Sequence, residues 1–299
     1  MMKHLTAKTK EFVLNSSLEE KIIHLRKQKW IPYPLAEKIM DKLDDLKDYP
    51  TVDRMPNLLI VGETNNGKSA LINRFFKKNN PYIREGEYDI VIAPVLLLQA
   101  PAEPDEKSFY NKILEILNAP IIKSENSDIK QRRIISLFKK LEIKLLIIDE
   151  IHHVLAGSPN KQRVFLNVLK YLSNELKISI VCVGIRDAFN VIQSDPQLAN
   201  RFETRILERW KNNETFLQFL VNYEALLPLE NPSYLAENSM ASKILAMSDG
   251  LIGEINTILI KAAELALKSG INKIDHKILD NIEYVSPDDR KKILRRTNL

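Results

Sequence analysis

Residues 62–69 constrain the fold of this chain more than any other segment. They read Gly-Glu-Thr-Asn-Asn-Gly-Lys-Ser and fit the pattern G-x-x-x-x-G-K-[ST], directly after the apolar run 58–61 and before a predicted helix over 68–76. Because glycine is scarce in this chain, a chance match is expected only about once in several hundred such sequences. An ordinary glycine-containing turn is the alternative. The context predicts a phosphate-binding loop, the P-loop, between a buried strand and a helix.

The P-loop residues have distinct predicted roles in binding ATP and Mg²⁺. The glycines allow backbone amides to curl around phosphate oxygens at a helix N-terminus. The Lys68 ammonium is predicted to contact the β and γ phosphates, and the Ser69 hydroxyl to bind magnesium. The predicted nucleotide-binding residues of the loop are Gly62, Glu63, Thr64, Asn65, Asn66, Gly67, Lys68 and Ser69.

A second apolar run, residues 145–148, ends in two carboxylates, Asp149 and Glu150, and Asp149 lies 81 residues beyond Lys68. This spacing leaves room for an additional strand and helices, as in ATPases whose catalytic strand is inserted between others. We expect Asp149 to hold magnesium through water, together with Ser69, and Glu150 to orient and deprotonate the attacking water. The alternative is that the two acids only cap the helix that follows.

ATPases of this type use an arginine from a neighbouring subunit to stabilise charge on the transferring phosphoryl group. Arg201 is the first candidate for this catalytic role and Arg205 is the second; surface salt bridges are the alternative for both. His152 and His153 invite a metal or acid–base role. Adjacent histidines point in different directions and no third ligand is close in sequence, so we interpret both as structural.

Strand-like apolar runs alternate with amphipathic helices over residues 51–212, which predicts an α/β domain with a parallel sheet flanked by helices. The predicted strands are 58–61, 90–99, 144–148, 179–183 and 204–207. Residues 1–50 are predicted to form an N-terminal helical extension in which Pro32 and Pro34 separate two helices. Residues 213–285 are predicted to form a helical lid domain, and residues 286–299 a basic C-terminal tail.

The composition excludes a membrane-spanning protein. The longest apolar runs fall far short of the roughly 20 residues that cross a bilayer, and residues 1–10 lack an apolar signal core, so we expect a cytoplasmic protein without membrane contacts. The net charge of +5 fits either a polyanionic partner or a solubility requirement. The predicted tail is rich in positive charge, with five basic residues at Arg290, Lys291, Lys292, Arg295 and Arg296. The alternative is that these residues are only a solvated tail.

Several motifs together resemble the TniB/TnsC family of transposition ATPases. Residues 30–34 read Trp-Ile-Pro-Tyr-Pro, and residues 54–57 read Arg-Met-Pro-Asn just before the first strand. Residues 149–152 read Asp-Glu-Ile-His, residues 195–202 read Asp-Pro-Gln-Leu-Ala-Asn-Arg-Phe, and Trp210 follows. The resemblance covers residues 30–267. The Arg-Met-Pro-Asn opening together with Thr-Asn-Asn-Gly-Lys-Ser is more specific than a P-loop alone.

The resemblance implies a P-loop AAA+ fold and an ATP-dependent regulatory role in Tn7-like or Tn5053-like DNA transposition in the bacterial cytoplasm. Members of this family assemble with ATP into rings or helical filaments on double-stranded DNA. They contact a target-selecting TniQ-type protein and recruit the transposase. The implied partners are therefore double-stranded DNA, further copies of this chain, a TniQ-type selector and a transposase.

Two positions depart from the AAA+ pattern that the resemblance implies. Ile185 follows the fourth strand, where many AAA+ proteins carry a polar sensor, and Glu254 lies where many carry a sensor arginine. We therefore expect slow or partner-dependent hydrolysis. Two other interpretations stay open: a nucleotide-gated DNA-binding scaffold with little hydrolysis, and another AAA+ DNA protein such as a replication initiator. Cations expected near the loops that face DNA are Lys107, Lys161 and Arg163.

Overall fold

The structure is a computed structural model that describes residues 2–287, 289, 290 and 292. Its chain divides into two units. Lys38–Glu208 forms an α/β unit, and Met1–Glu37 together with Arg209–Leu299 forms a helical unit. The sequence placed these boundaries after residues 50 and 212. Lys291, Arg295 and Arg296 of the expected basic tail lie outside the described residues.

The regular elements follow the predicted alternation. The strands are β1 (Asn57–Gly62), β2 (Tyr82–Arg84), β3 (Ile90–Ile92), β4 (Val95–Gln99), β5 (Leu145–Asp149), β6 (Ser179–Gly184) and β7 (Phe202–Leu207). The α-helices are α1 (Ala7–Asn15), α2 (Leu18–Arg26), α3 (Pro34–Lys47), α4 (Lys68–Lys78), α5 (Glu106–Ile116), α6 (Ser127–Lys140), α7 (Pro159–Leu176), α8 (Asp187–Gln193), α9 (Pro196–Ala199), α10 (Glu214–Glu224), α11 (Asn238–Ser248), α12 (Ile252–Lys268) and α13 (His276–Asn281). None of the helices in the described part of the chain combines the length and apolar character that crossing a membrane requires.

The α/β unit is built on a five-stranded sheet in the order β4-β5-β6-β1-β7, and all neighbouring strands run parallel. Every residue of β1 and β6 is buried, which is why both strands read as continuous apolar runs instead of alternating ones. Helices cover the sheet with large apolar side chains that are fully buried, such as Phe109 of α5, Phe138 of α6 and Phe165 of α7. The predicted parallel α/β sheet is confirmed.

The single strand predicted over residues 90–99 is wrong, because the structure contains two strands there. Pro94 has no N–H to donate and restricts the backbone of the residue before it, so β3 ends before Ala93 and β4 begins after Pro94. The Pro94 carbonyl accepts from the backbone N–H groups of Lys144 and Leu145, at 3.0 and 3.1 Å. β3 instead pairs antiparallel with β2 in a separate hairpin.

The helical unit has its own apolar core, formed by buried residues of α10, α11, α12 and α13 with Leu25 of α2. The Tyr33 ring packs against Trp210 and Phe219, with centroid distances of 5.0 and 6.4 Å. Burial raises the pKa of Tyr33 to about 12. The sequence did not predict α1, whose first turn is capped by the hydroxyl of Thr6.

Candidate nucleotide-binding site

β1 and α4 place the P-loop at the carboxyl edge of the sheet, where ligands bind in open α/β folds. Gly67 adopts φ 82° as the residue before α4, a left-handed conformation that glycine reaches without strain. At Gly62 a Cβ atom would lie 3.1 Å from the Cβ of Leu207, a tight contact that β7 would have to relieve. The two glycines therefore suit the backbone path, Gly67 through its positive φ and Gly62 through its close approach to β7.

Asn66 anchors the P-loop to the end of β7. Its side chain is 3% exposed, and its amide nitrogen donates to the carbonyls of Leu207 and Glu208 at 2.7 and 3.1 Å. The side chain is thus committed to holding the loop, while Glu63, Thr64 and Asn65 are exposed. The sequence assigned Asn66 to nucleotide binding and did not anticipate this anchor.

Lys68 is the buried cation of the site, with 5% of its surface exposed. Its ammonium donates to the carbonyls of Gly62 and Glu63, both at 2.8 Å, so it spans the loop that it belongs to. Burial lowers the pKa of Lys68, and the negative charges of Glu150, Asp149 and Glu63 oppose this shift. The cation lies where three carboxylates act on it, and phosphate oxygens could take the place of the loop carbonyls as its acceptors.

Ser69 and Asp149 meet across the sheet edge although 80 residues separate them. The Ser69 hydroxyl donates to Asp149 Oδ2 at 2.7 Å, and the backbone N–H of Glu150 donates to Asp149 Oδ1 at 2.9 Å. Only β6 lies between β1 and β5, in agreement with an inserted strand between the two motifs. A hydroxyl and a carboxylate in contact supply the hard oxygen ligands that magnesium prefers, so the residues present fit a magnesium nucleotide.

Glu150 begins a 3₁₀-helix, Ile151–Ala156, and has φ 55° and ψ 37°. A left-handed conformation at a non-glycine residue is uncommon and is a form of backbone strain found at functional sites. Glu150 Oε2 lies 3.2 Å from His152 Nδ1, close enough for an ion pair but without the alignment of a hydrogen bond. Burial lowers the pKa of His152, and the Glu150 charge opposes that shift.

The two departures from the AAA+ pattern have different structural outcomes. Ile185 directly follows Gly184, whose Cα pairs with that of Val61, so an apolar side chain follows the strand beside the P-loop strand. Glu254, in α12 of the helical unit, is 6% exposed and accepts from the hydroxyl of Tyr284 at 2.6 Å. It also accepts from two nitrogens of Arg290, at 3.0 and 2.8 Å. The buried Glu254 carboxylate thus forms an ion pair with the half-exposed Arg290, which the sequence did not predict.

Arg201 lies immediately before β7, at the amino edge of the sheet, because Phe202 pairs with Asn57 and Leu207 pairs with Gly62. The six residues of β7 span about 17 Å, so Arg201 is remote from the P-loop of its own chain. Its guanidinium donates to Asn174 Oδ1 at 2.7 Å. Arg205 is exposed on β7 and forms an ion pair with Glu203 at 2.5 Å.

The cations expected to face DNA lie near the N-termini of two neighbouring helices. Lys107 belongs to α5, and Lys161 and Arg163 belong to α7; all three are exposed. The loops before these helices touch, since a Cβ on Gly157 would lie 2.3 Å from Pro104 Cγ. Lys161 is 3.5 Å from Glu103 in an exposed ion pair. The fold therefore places the helix start that carries Lys107 beside the one that carries Lys161 and Arg163, although 54 residues separate Lys107 from Lys161.

Residues 21–212 match the family model described as "Bacterial TniB protein". No curated protein matches the chain significantly.

Solved structures with a similar fold include Cdc6p, ORC1 and RuvB proteins. Cdc6p from Pyrobaculum aerophilum is 15% identical with a TM-score of 0.58, and the match covers 84% of this chain and 67% of that chain. Aeropyrum pernix ORC1, solved in complex with DNA, is 14% identical with a TM-score of 0.62, covering 92% of this chain and 69% of that chain. A Thermotoga maritima RuvB variant is 14% identical with a TM-score of 0.53, covering 92% and 81%. At these identities the likeness shows the fold alone, and the predicted P-loop AAA+ fold is confirmed.

Proposed function

The chain belongs to the family of bacterial TniB proteins, and from this premise we propose that it is an ATP-dependent, DNA-binding regulator of DNA transposition. In this proposal it oligomerises on double-stranded target DNA and links a TniQ-type target selector to the transposase. The observation that carries the ATPase part is the hydrogen bond between Ser69 and Asp149 beside the buried Lys68. The transposition part rests on the match to the TniB family model.

The residues of the site divide the work of ATP hydrolysis. Bound Mg²⁺–ATP supplies the phosphoryl group and a cation that neutralises developing charge. Lys68 holds the phosphate oxygens, and Ser69 and Asp149 hold the metal. The Glu150 carboxylate accepts the proton of the attacking water, because it is the other acidic side chain at the end of β5 and is 30% exposed.

The catalytic arginine is proposed to come from a second copy of this chain. Arg201 cannot reach its own P-loop along β7, yet it lies at a sheet edge where a neighbouring subunit can dock. The donated hydrogen bond to Asn174 Oδ1 holds the guanidinium in place on the surface. A ring or helical filament in which each Arg201 completes the next subunit's site would couple ATP binding to assembly. Arg205 is the second candidate for this role.

Double-stranded DNA is proposed to bind where Lys107, Lys161 and Arg163 converge. Cations on the first turns of helices add to the positive ends of the helix dipoles, and both attract phosphate. Contacts of this kind read the backbone and carry little base-sequence information. The proposed DNA surface therefore fits a protein whose target choice is made by a separate selector.

We expect DNA binding to require ATP and to weaken steeply with salt. With six or more phosphate contacts in the oligomer, the affinity should fall about 10³-fold or more between 50 and 200 mM salt, because each contact releases counterions. A titration of duplex DNA with a non-hydrolysable ATP analogue at the two salt concentrations measures this fall. Alanine at Lys107, Lys161 and Arg163 should reduce the salt dependence, whereas alanine at the exposed Lys139 and Lys140, in the last turn of α6, should not. Salt-insensitive binding, or tight binding without nucleotide, would contradict the proposed surface.

Arg201→Ala should leave ATP binding by the isolated chain intact and should lower both ATP turnover and cooperative DNA binding. Loss of an arginine donated in trans costs about 10³-fold or more in turnover. The matched control is Arg132→Ala, which removes an exposed arginine from α6. Undiminished cooperativity and turnover in Arg201→Ala, with a loss in Arg205→Ala, would assign the role to Arg205. Full activity in both variants would remove the proposed arginine contact from the interface.

A nucleotide-gated scaffold with little hydrolysis is the second candidate, and Ile185 is the observation that favours it. An apolar side chain at the end of β6 cannot orient water or phosphate beside the P-loop. Phosphate release measured with and without DNA separates the two candidates. Turnover that DNA stimulates supports the ATPase, and ATP-dependent assembly without phosphate release supports the scaffold.

A further inference from the structure

We infer that Glu150, His152 and His153 form a binding site for zinc or a similar borderline divalent cation, separate from the magnesium site at Ser69 and Asp149. Each of the three residues offers one ligand atom, and these atoms lie within 4.8 Å of one another. One carboxylate and two imidazoles are a ligand set that zinc accepts in proteins, with a fourth position left for water. Magnesium prefers oxygen ligands alone, so the two sites would select different ions.

The distance between the first two ligands matches a shared tetrahedral ion. Two atoms each about 2.0 Å from one zinc ion lie about 3.3 Å apart at the tetrahedral angle. Glu150 Oε2 and His152 Nδ1 are 3.2 Å apart and do not align as a hydrogen bond. The pair therefore already has the separation that coordination requires.

The local backbone places His153 on the same side of the 3₁₀-helix as Glu150. Its N–H donates to the carbonyl of Glu150 at 3.0 Å, the i to i+3 bond of the 3₁₀-helix, and residues three apart in such a helix eclipse one another. The centroids of the two imidazole rings are 5.0 Å apart, and the ring planes meet at 62°. Two consecutive histidines can thus both turn a ring nitrogen toward Glu150, which a regular strand would not allow.

The imidazole nitrogens are available as ligands. Among the described residues, Nδ1 of His152 and Nδ1 of His153 are buried and have no hydrogen-bond partner, and a buried polar atom without a partner is destabilising unless a ligand satisfies it. Gly184 makes space for this arrangement, because a Cβ there would lie 3.2 Å from His152 Nδ1. The Lys68 ammonium opposes a cation at this position, and the carboxylates of Glu150 and Asp187 favour one.

Zinc bound here would occupy the carboxylate that is proposed to deprotonate the attacking water. This consequence rests on the proposed function: zinc should inhibit ATP turnover while ATP binding through Lys68 and Ser69 persists. The site itself stands on the geometry alone. Its test is therefore a binding measurement without nucleotide, whose failure is distinguishable from failure of the proposed ATPase.

The test uses untagged full-length protein, excess Mg²⁺ and no nucleotide. Zinc titrated against a chromogenic chelator should show one ion per chain, and Co²⁺ should give the intense visible absorption of a tetrahedral site. His152→Asn and His153→Asn should each weaken zinc binding by about tenfold or more, since even partners outside the ligand shell cost that much. The matched control is His276→Asn, at an exposed histidine of α13. Circular dichroism of each variant establishes that it is folded.

Two results would overturn the site: no zinc bound by the wild-type protein, or unchanged affinity in the double variant His152→Asn, His153→Asn. In the turnover arm, zinc should inhibit the wild type and not any residual activity of the double variant, which controls for zinc complexes of ATP. Glu150→Gln should also weaken zinc binding, because an amide is a poorer ligand than a carboxylate. Unchanged zinc affinity in Glu150→Gln would remove the carboxylate from the site.

Discussion

Replacing Lys68 by alanine is expected to abolish ATP binding and, with it, ATP-dependent assembly. Each hydrogen bond from an ammonium to a charged acceptor contributes about 1.5–3 kcal/mol, so the loss of two weakens the affinity by about 100-fold or more. The same ammonium donates to the carbonyls of Gly62 and Glu63, at 2.8 Å each. The substitution therefore removes both the group that binds the phosphates and two hydrogen bonds that hold the loop.

Binding of a fluorescent ATP analogue to wild type and variant measures the effect. Lys77→Ala is the matched control, because Lys77 belongs to the same helix, α4, but lies in its last turn, away from the loop. Thermal unfolding of both variants shows whether the hydrogen bonds that hold the loop matter for the fold. An unchanged nucleotide affinity in Lys68→Ala would refute the assignment of the nucleotide site.

The fold was predictable where burial is complete on both faces of a strand. β1, β5 and β6 contain continuous apolar runs, and each of their bounds lies within one residue of the predicted one. The hairpin of β2 and β3 was not predictable in the same way. Its residues Tyr82, Ile83 and Val91 are at least half exposed, so burial imposes no apolar pattern on these three-residue strands.

In the candidate site, too, the features contained in one continuous segment were predictable, and the contacts between distant segments were not. The P-loop is one continuous segment whose backbone path is fixed by its own glycines, so the motif alone located Lys68 and Ser69. The contacts of Asn66 with β7 and of Glu254 with Arg290 join segments 141 and 36 residues apart, and only the fold brings them together. The interpretation of His152 and His153 as structural rests on adjacent side chains pointing in different directions, and the sequence does not predict the 3₁₀-helix in which they lie.

Glu150→Gln is expected to slow ATP turnover by about 10²–10⁴-fold while ATP affinity stays unchanged. An amide has the size of the carboxylate but cannot accept the proton of the attacking water, and general-base catalysis contributes about this factor. Asp149 keeps its hydrogen bonds to the Ser69 hydroxyl and to the backbone N–H of residue 150, so the residues that hold magnesium are untouched. A lower turnover number with unchanged binding identifies an interaction made only in the transition state.

The chain offers a closely matched control in Glu142→Gln. Glu142 also has a left-handed backbone, with φ 52° against 55° at Glu150, but it precedes β5 whereas Glu150 follows it. Its carboxylate pairs with Arg84 on the surface, so its replacement should leave turnover unchanged. Single-turnover phosphate release and ATP-analogue binding are measured for both variants with and without DNA. Because ATP then persists in the site, oligomers of Glu150→Gln should remain on DNA longer than those of the wild type. Wild-type turnover in this variant would show that the base is another group, whereas a matching loss in Glu142→Gln would trace the effect to the backbone.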